Sequence, residues 1–259
     1  MSTSTPSHNS SPDLHRAAHT PARRRFLTRA LVAGSLACVG LTASAACDAG
    51  TIPAYVTLAL RSGLPADGAL VSEGGATLRL GTARLTVLAA ALESCPATPT
   101  AQLRALLRPS VAHAHSEGSP TRLGEPHVVD LRAATSTELG EFQPPAGRYC
   151  GVRLTLGPAD ADAVGLPSPD FAGTTFAITG DIDPPSARAV SGRSTGNLTT
   201  TATLEPALAV GEGDAARIEL VFGDATALST ATLAGLNDDA LAGTLLLGAQ
   251  RVITATVTR

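Results

Sequence analysis

Of the six histidines in this 259-residue chain, three lie in its second part: His113, His115 and His127, within a span of fifteen residues. Imidazole nitrogens are favoured ligands for zinc and copper. If the segment is extended, Val111, His113 and His115 point to one side, so two imidazoles can converge on a single ion. A third can arrive at Pro126-His127, where the chain re-enters a core strand. In an exported protein copper is the expected ion. The competing reading makes His113 and His115 solvated loop residues, and makes His127, which shares a strand face with Val129 and Leu131, a partly buried, hydrogen-bonded histidine.

Catalytic signatures are absent. The chain has no Gly-x-Ser-x-Gly elbow, no His-Glu-x-x-His pair, no Walker loop and no dinucleotide fingerprint. The expectation is a binding protein rather than an enzyme, with a hydrolase whose Ser, His and Asp meet only in space as a further alternative. Asp160-Ala161-Asp162 and Asp181-Ile182-Asp183 lack the Gly and Glu positions of a calcium loop and read as turn acids.

The remaining reactive side chains are cysteines. Beyond Cys38 lie Cys47, Cys95 and Cys150, an odd number that becomes even if Cys47 carries a lipid. Ser44-Ala45-Ala46-Cys47 resembles a lipobox, although its first position is Ser rather than Leu, and Ala43-Ser44-Ala45 offers a competing Ala-x-Ala cleavage site. In an oxidising compartment Cys95 and Cys150 then pair, the other reading being two separate buried thiols. Cys150, Val152, Leu154 and Leu156 alternate with more polar neighbours, which places Cys150 on the apolar face of a strand.

An export signal precedes these residues. Arg23 and Arg24, followed by Phe26 and Leu27, resemble the twin-arginine consensus, with Ala22 and Thr28 departing from it. Residues 1–22 are polar and read as a disordered n-region. The apolar stretch 30–46 is broken by Gly and Ser and is short for a span of roughly 20 residues, although an uncleaved anchor helix is its alternative. Residues 1–46 are therefore expected to be the signal segment and 47–259 a single domain in the periplasm or cell envelope, membrane-anchored through its N-terminal lipid. Five of the 19 arginines and one of the 22 acids precede Cys47, leaving 14 against 21 and a formal charge of −7. That sign disfavours nucleic acid as a partner.

Period-two alternation dominates the domain that must position these groups. It recurs at Val56, Leu58 and Leu60, at Phe176 and Ile178, at Leu198, Ala202 and Leu204, at Ile218, Leu220 and Phe222, and at Ile253, Ala255 and Val257. Turns such as Pro65-Ala66-Asp67-Gly68 separate the runs. The pattern predicts an all-β, antiparallel β-sandwich of immunoglobulin or transthyretin type, with about eight or nine strands. The run from Arg84 to Cys95 reads as a strand, although Leu85, Leu88, Ala89 and Leu92 also match helical spacing. One short helix is expected near residues 225–241, with Asp224 as a candidate N-cap, and Asn237-Asp238-Asp239, near a helix end, reads as a cap or turn. Residues 96–124 form a long polar excursion, a candidate functional loop.

One stretch resembles a known family. His127-Val128-Val129-Asp130-Leu131, then Leu139-Gly140-Glu141-Phe142, then Pro145-Ala146-Gly147-Arg148-Tyr149-Cys150-Gly151-Val152-Arg153-Leu154-Thr155-Leu156-Gly157 looks like the MbnP-like bacterial periplasmic β-sandwich proteins, over about residues 53–180. The resemblance implies copper binding and a periplasmic redox partner of the di-haem peroxidase kind. The chain has no Trp, so a metal site that depends on tryptophan or its oxidised product does not carry over, and no family ligand is transferred to a numbered position.

Overall fold

A strand with one face in a core must place an apolar residue at every second position, so the alternating runs fix where the chain extends. The computed structural model describes residues 52–72, 74–96, 119–183, 187–224, 233, 235–251 and 253–259. In chain order the strands are β1 (Tyr55–Ser62), β2 (Ala69–Val71), β3 (Thr77–Ser94), β4 (Arg122–Leu123), β5 (His127–Asp130) and β6 (Thr137–Phe142). They continue as β7 (Gly147–Leu156), β8 (Phe176–Ile182), β9 (Arg188–Ser194), β10 (Leu198–Val210), β11 (Ala215–Phe222) and β12 (Ile253–Thr258). Helix α1 (Asp238–Ala249) lies between the last two.

These elements form an all-β sandwich. One sheet runs β12-β11-β1-β6; the other runs β10-β7-β3-β8-β9, with β2, β4 and β5 also paired to β3. Both sheets contribute to one buried cluster, with Val56, Leu58, Ile218 and Phe222 from the smaller and Leu85, Val87, Leu154 and Ile178 from the larger. The described strands number twelve rather than eight or nine, β2 and β4 being among those too short to show alternation. The sheets are not wholly antiparallel either, since β1 pairs in parallel with β11, Tyr55 opposite Ala215 through Ser62 opposite Phe222.

The larger sheet is organised by β3, whose 18 residues include the run that also fitted helical spacing. Its core-facing residues are Leu78, Leu80, Ala83, Leu85, Val87, Ala90 and Leu92, all buried. The period breaks twice, where the register shifts between Leu80 and Thr82 and between Val87 and Ala89. Each shift absorbs one extra residue as a bulge and returns the apolar side chains to the core. The second break makes Leu85, Leu88, Ala89 and Leu92 look helical in the sequence.

Helix α1 overlaps the end of the stretch expected to be helical, of which residues 225–232 and 234 lie outside the described residues. Gly235 has φ 84°, a left-handed conformation that no α-helix tolerates in its interior. The helix therefore starts beyond it, with Asn237 Oδ1 accepting from the Ala240 backbone N–H at 2.8 Å. Asn237-Asp238-Asp239 is thus the helix start, not its end, and the two aspartates face the positive end of the dipole. Leu241, Ala242, Leu245, Leu246 and Ala249 bury its inner face.

The first turn of α1 also closes the free edge of β9. Asp238 Oδ2 accepts from the Ser191 backbone N–H at 2.9 Å and Asp239 Oδ1 from that of Arg193 at 2.8 Å. Arg188 pairs with Asp238 and donates to the Leu236 carbonyl at 2.9 Å. Two of the edge donors that invite strand addition, the N–H groups of Ser191 and Arg193, are thereby occupied. Gly192 allows the approach, since a Cβ there would lie 2.0 Å from the Asp238 carbonyl oxygen.

Two outcomes follow from this clasp. Gly192→Ala should lower stability by about 2 kcal/mol in urea unfolding through overpacking, whereas Gly196→Ala, whose added Cβ meets nothing closer than 3.9 Å, should change it by less than about 0.5 kcal/mol. The Ser191 N–H, foremost, and Arg188 hold the Asp238 carboxyl below its ordinary 3.8. Its contribution is therefore complete above that ordinary value and is lost as pH falls through the lower folded one. The stability gap between wild type and Asp238→Asn, measured by urea unfolding across an acid series, should close in that direction and stay constant above it.

Candidate functional site

The histidine expected at the re-entry point is held by its backbone on both sides. On β5 it pairs with Val87 of β3, while the Val128 N–H donates to the Val164 carbonyl and the Val164 N–H to the Pro126 carbonyl, each at 2.8 Å. Val129 and Leu131 face the main core, and Val128 faces a second small cluster with Ala159, Ala163 and Phe171. His127 lies on the Val129 side and is 8% exposed. Backbone pairing on two sides leaves its ring little choice of position.

The ring is not satisfied by its surroundings. Nε2 is buried and has no hydrogen-bond partner, which contradicts the expectation of a hydrogen-bonded core histidine at that atom. The Glu125 Oε2 oxygen stands 3.8 Å away, beyond hydrogen-bond length, on a side chain that is largely exposed. A buried polar nitrogen left unpaired costs about 1–3 kcal/mol, so its persistence calls for an explanation. A nitrogen and an oxygen each bound at about 2 Å can stand up to about 4 Å apart, so one ion can touch both groups.

His113 and His115 lie outside the described residues, as do Cys47 and the export-signal residues Arg23, Arg24, Phe26 and Leu27. Among the described residues no group of three or more His, Cys, Asp and Glu side chains is placed to hold a metal ion. Glu125 was not anticipated, although its position two residues before His127 was visible. No described helix is long and apolar enough to cross a membrane.

The expected cysteine pair is formed. Cys95 and Cys150 are joined in a disulfide with their Cα atoms 4.8 Å apart, tying the end of β3 to β7, and the Cys95 N–H donates to the Arg148 carbonyl at 2.9 Å. The face assigned to Cys150 needs correction. Tyr149 is the buried residue and Cys150 is half-buried, because the β3–β7 register shifts between Glu93 and Ser94 and moves the alternation by one. Tyr149 donates its hydroxyl to the Pro145 carbonyl at 2.9 Å, holding the preceding turn against the strand, and burial raises its pKa.

The disulfide closes a separation of 55 residues, a loop that contains the excursion and β4 to β6. Replacing both cysteines by Ala should cost about 4 kcal/mol in the chain-entropy account, read by denaturant unfolding under non-reducing conditions. Comparison of the chain with protein-family models, with curated proteins and with solved structures finds no match.

Proposed function

We propose that this chain is an exported, lipid-anchored β-sandwich binding protein of the cell envelope, and that it binds copper through His127 with His113 and His115. The observation that carries the metal reading is the buried, unpartnered Nε2 of His127. An imidazole nitrogen inside the protein margin, close to one exposed carboxylate, is a half-built ligand set. Two further imidazoles, His113 and His115, precede His127 by fourteen and twelve residues in the sequence. Copper, when bound, supplies one-electron exchange, in keeping with the redox partner that the MbnP-like resemblance implies.

Export is supported by the twin-arginine-like segment at Arg23, Arg24, Phe26 and Leu27, and by a disulfide of the sort that persists in oxidising compartments. Lipid anchoring rests on the cysteine count. With Cys95 and Cys150 bonded to each other, Cys47 is left for acylation.

Equilibrium dialysis against copper and zinc tests the reading. Wild type should retain one equivalent of copper, and His127→Ala and the double variant His113→Ala/His115→Ala should each bind at least about tenfold more weakly, since second-sphere losses alone reach that size. Circular dichroism of each variant monitors the fold. Equal copper loading of wild type and the double variant would contradict the histidine site, and no copper retained by wild type would leave a metal-free, partner-binding envelope lipoprotein.

A further inference from the structure

A second group of polar side chains lies on the outward face of the larger sheet, away from His127. Register places Arg84 of β3 opposite Ala177 of β8, and Ala177 opposite Arg193 of β9. The neighbouring row is Thr82, Thr179 and Ser191 across the same three strands. Two arginines thus stand about 10 Å apart at their Cα atoms, two strand spacings, with Ala177 between them, packed against the cluster that contains Phe171. Long guanidinium side chains converge readily over such a gap. The result is a cleft of about 110 Å³ in which Ser168 and Phe171 also take part, and whose lining contains both arginines and no acidic residue.

From this we infer that the cleft is a binding site for a phosphate group. Arg193 is already oriented, since its Nη1 donates to the Asp170 carbonyl at 2.9 Å. Arg84 is half-buried and forms no ion pair among the described residues. Asp130 is opposite Arg84 on β5, but its Oδ1 accepts from the Arg132 backbone N–H at 2.8 Å. Asp239 is engaged with the β9 backbone. Donors stand on three sides: one guanidinium at each end and the hydroxyl row alongside, where Thr82 and Thr179 already share a 2.7 Å hydrogen bond. A tetrahedral oxyanion presents oxygens in three directions, whereas a carboxylate presents two in one plane. The cleft volume admits the phosphate itself, with any attached group left outside. In a domain of formal charge −7 such a site needs local cations, and the two arginines supply them.

Calorimetric titration of the full chain with inorganic phosphate at low ionic strength, together with co-sedimentation on phosphatidylglycerol and phosphatidylcholine vesicles, tests the inference. Phosphate should bind saturably, and R84Q and R193Q should each weaken it by about tenfold or more, the worth of one charge-assisted hydrogen bond. A177E, which sets a carboxylate between the arginines, should abolish binding, with circular dichroism monitoring the fold. Binding to phosphatidylglycerol vesicles but not to free phosphate, lost in R84Q/R193Q, assigns the phosphate to a lipid headgroup and supports the site. Absence of both interactions in wild type, or undiminished binding in R84Q/R193Q, overturns it.

Discussion

The larger sheet depends on one constraint: β3 must keep its apolar side chains on the core face along 18 residues, while pairing with β2, β4, β5, β7 and β8. A strand that slipped by one position would turn Leu85 and Val87 outward and Arg84 and Thr86 inward. The two bulges hold the phase. One lies within the segment paired to β8, Leu78–Leu85, and the other within that paired to β7, Val87–Ser94. The core that both sheets share forms only if this phase is correct, and the smaller sheet packs onto it through Val56, Leu58, Ile218 and Phe222.

The same strand sets the position of each group capable of chemistry. Val87 is the register partner of His127, Arg84 stands three residues earlier on the opposite face, and Cys95 follows the strand end. The outward face would be open to water along its middle, but the segment between β7 and β8 folds over it. Thr86 is wholly buried there, its hydroxyl donating to the Thr174 carbonyl at 2.8 Å. That covering segment supplies Ser168 and Phe171 to the arginine cleft and Val164 to the backbone of His127. One loop thus braces two places on different faces of the sheet.

Much of this was legible where a strand keeps an unbroken period of two. The runs at Val56, Phe176, Leu198, Ile218 and Ile253 all lie in strands, because each has one face in the core. The cysteine pairing was legible from parity once Cys47 was set aside. Legibility ended where the period broke. A bulge gave part of β3 a helical spacing, a register shift exchanged the faces of Tyr149 and Cys150, and a left-handed Gly235 moved the start of α1 to Asp238. The parallel pairing of β1 with β11 and the alignment of Arg84, Ala177 and Arg193 arise from residues far apart in the chain. No local pattern encodes them. For the candidate metal site the sequence marked the three imidazoles, and the structure adds the burial of one of them and the nearby Glu125 carboxylate.

The functional account rests on a ring nitrogen, His127 Nε2, that the fold buries and leaves without a hydrogen-bond partner. A crystal of the copper-loaded protein, with diffraction collected on both sides of the copper absorption edge, examines that atom directly. The account predicts an anomalous peak about 2 Å from His127 Nε2. A copper peak elsewhere, with Nε2 bonded to a water molecule or to a protein oxygen, would contradict it.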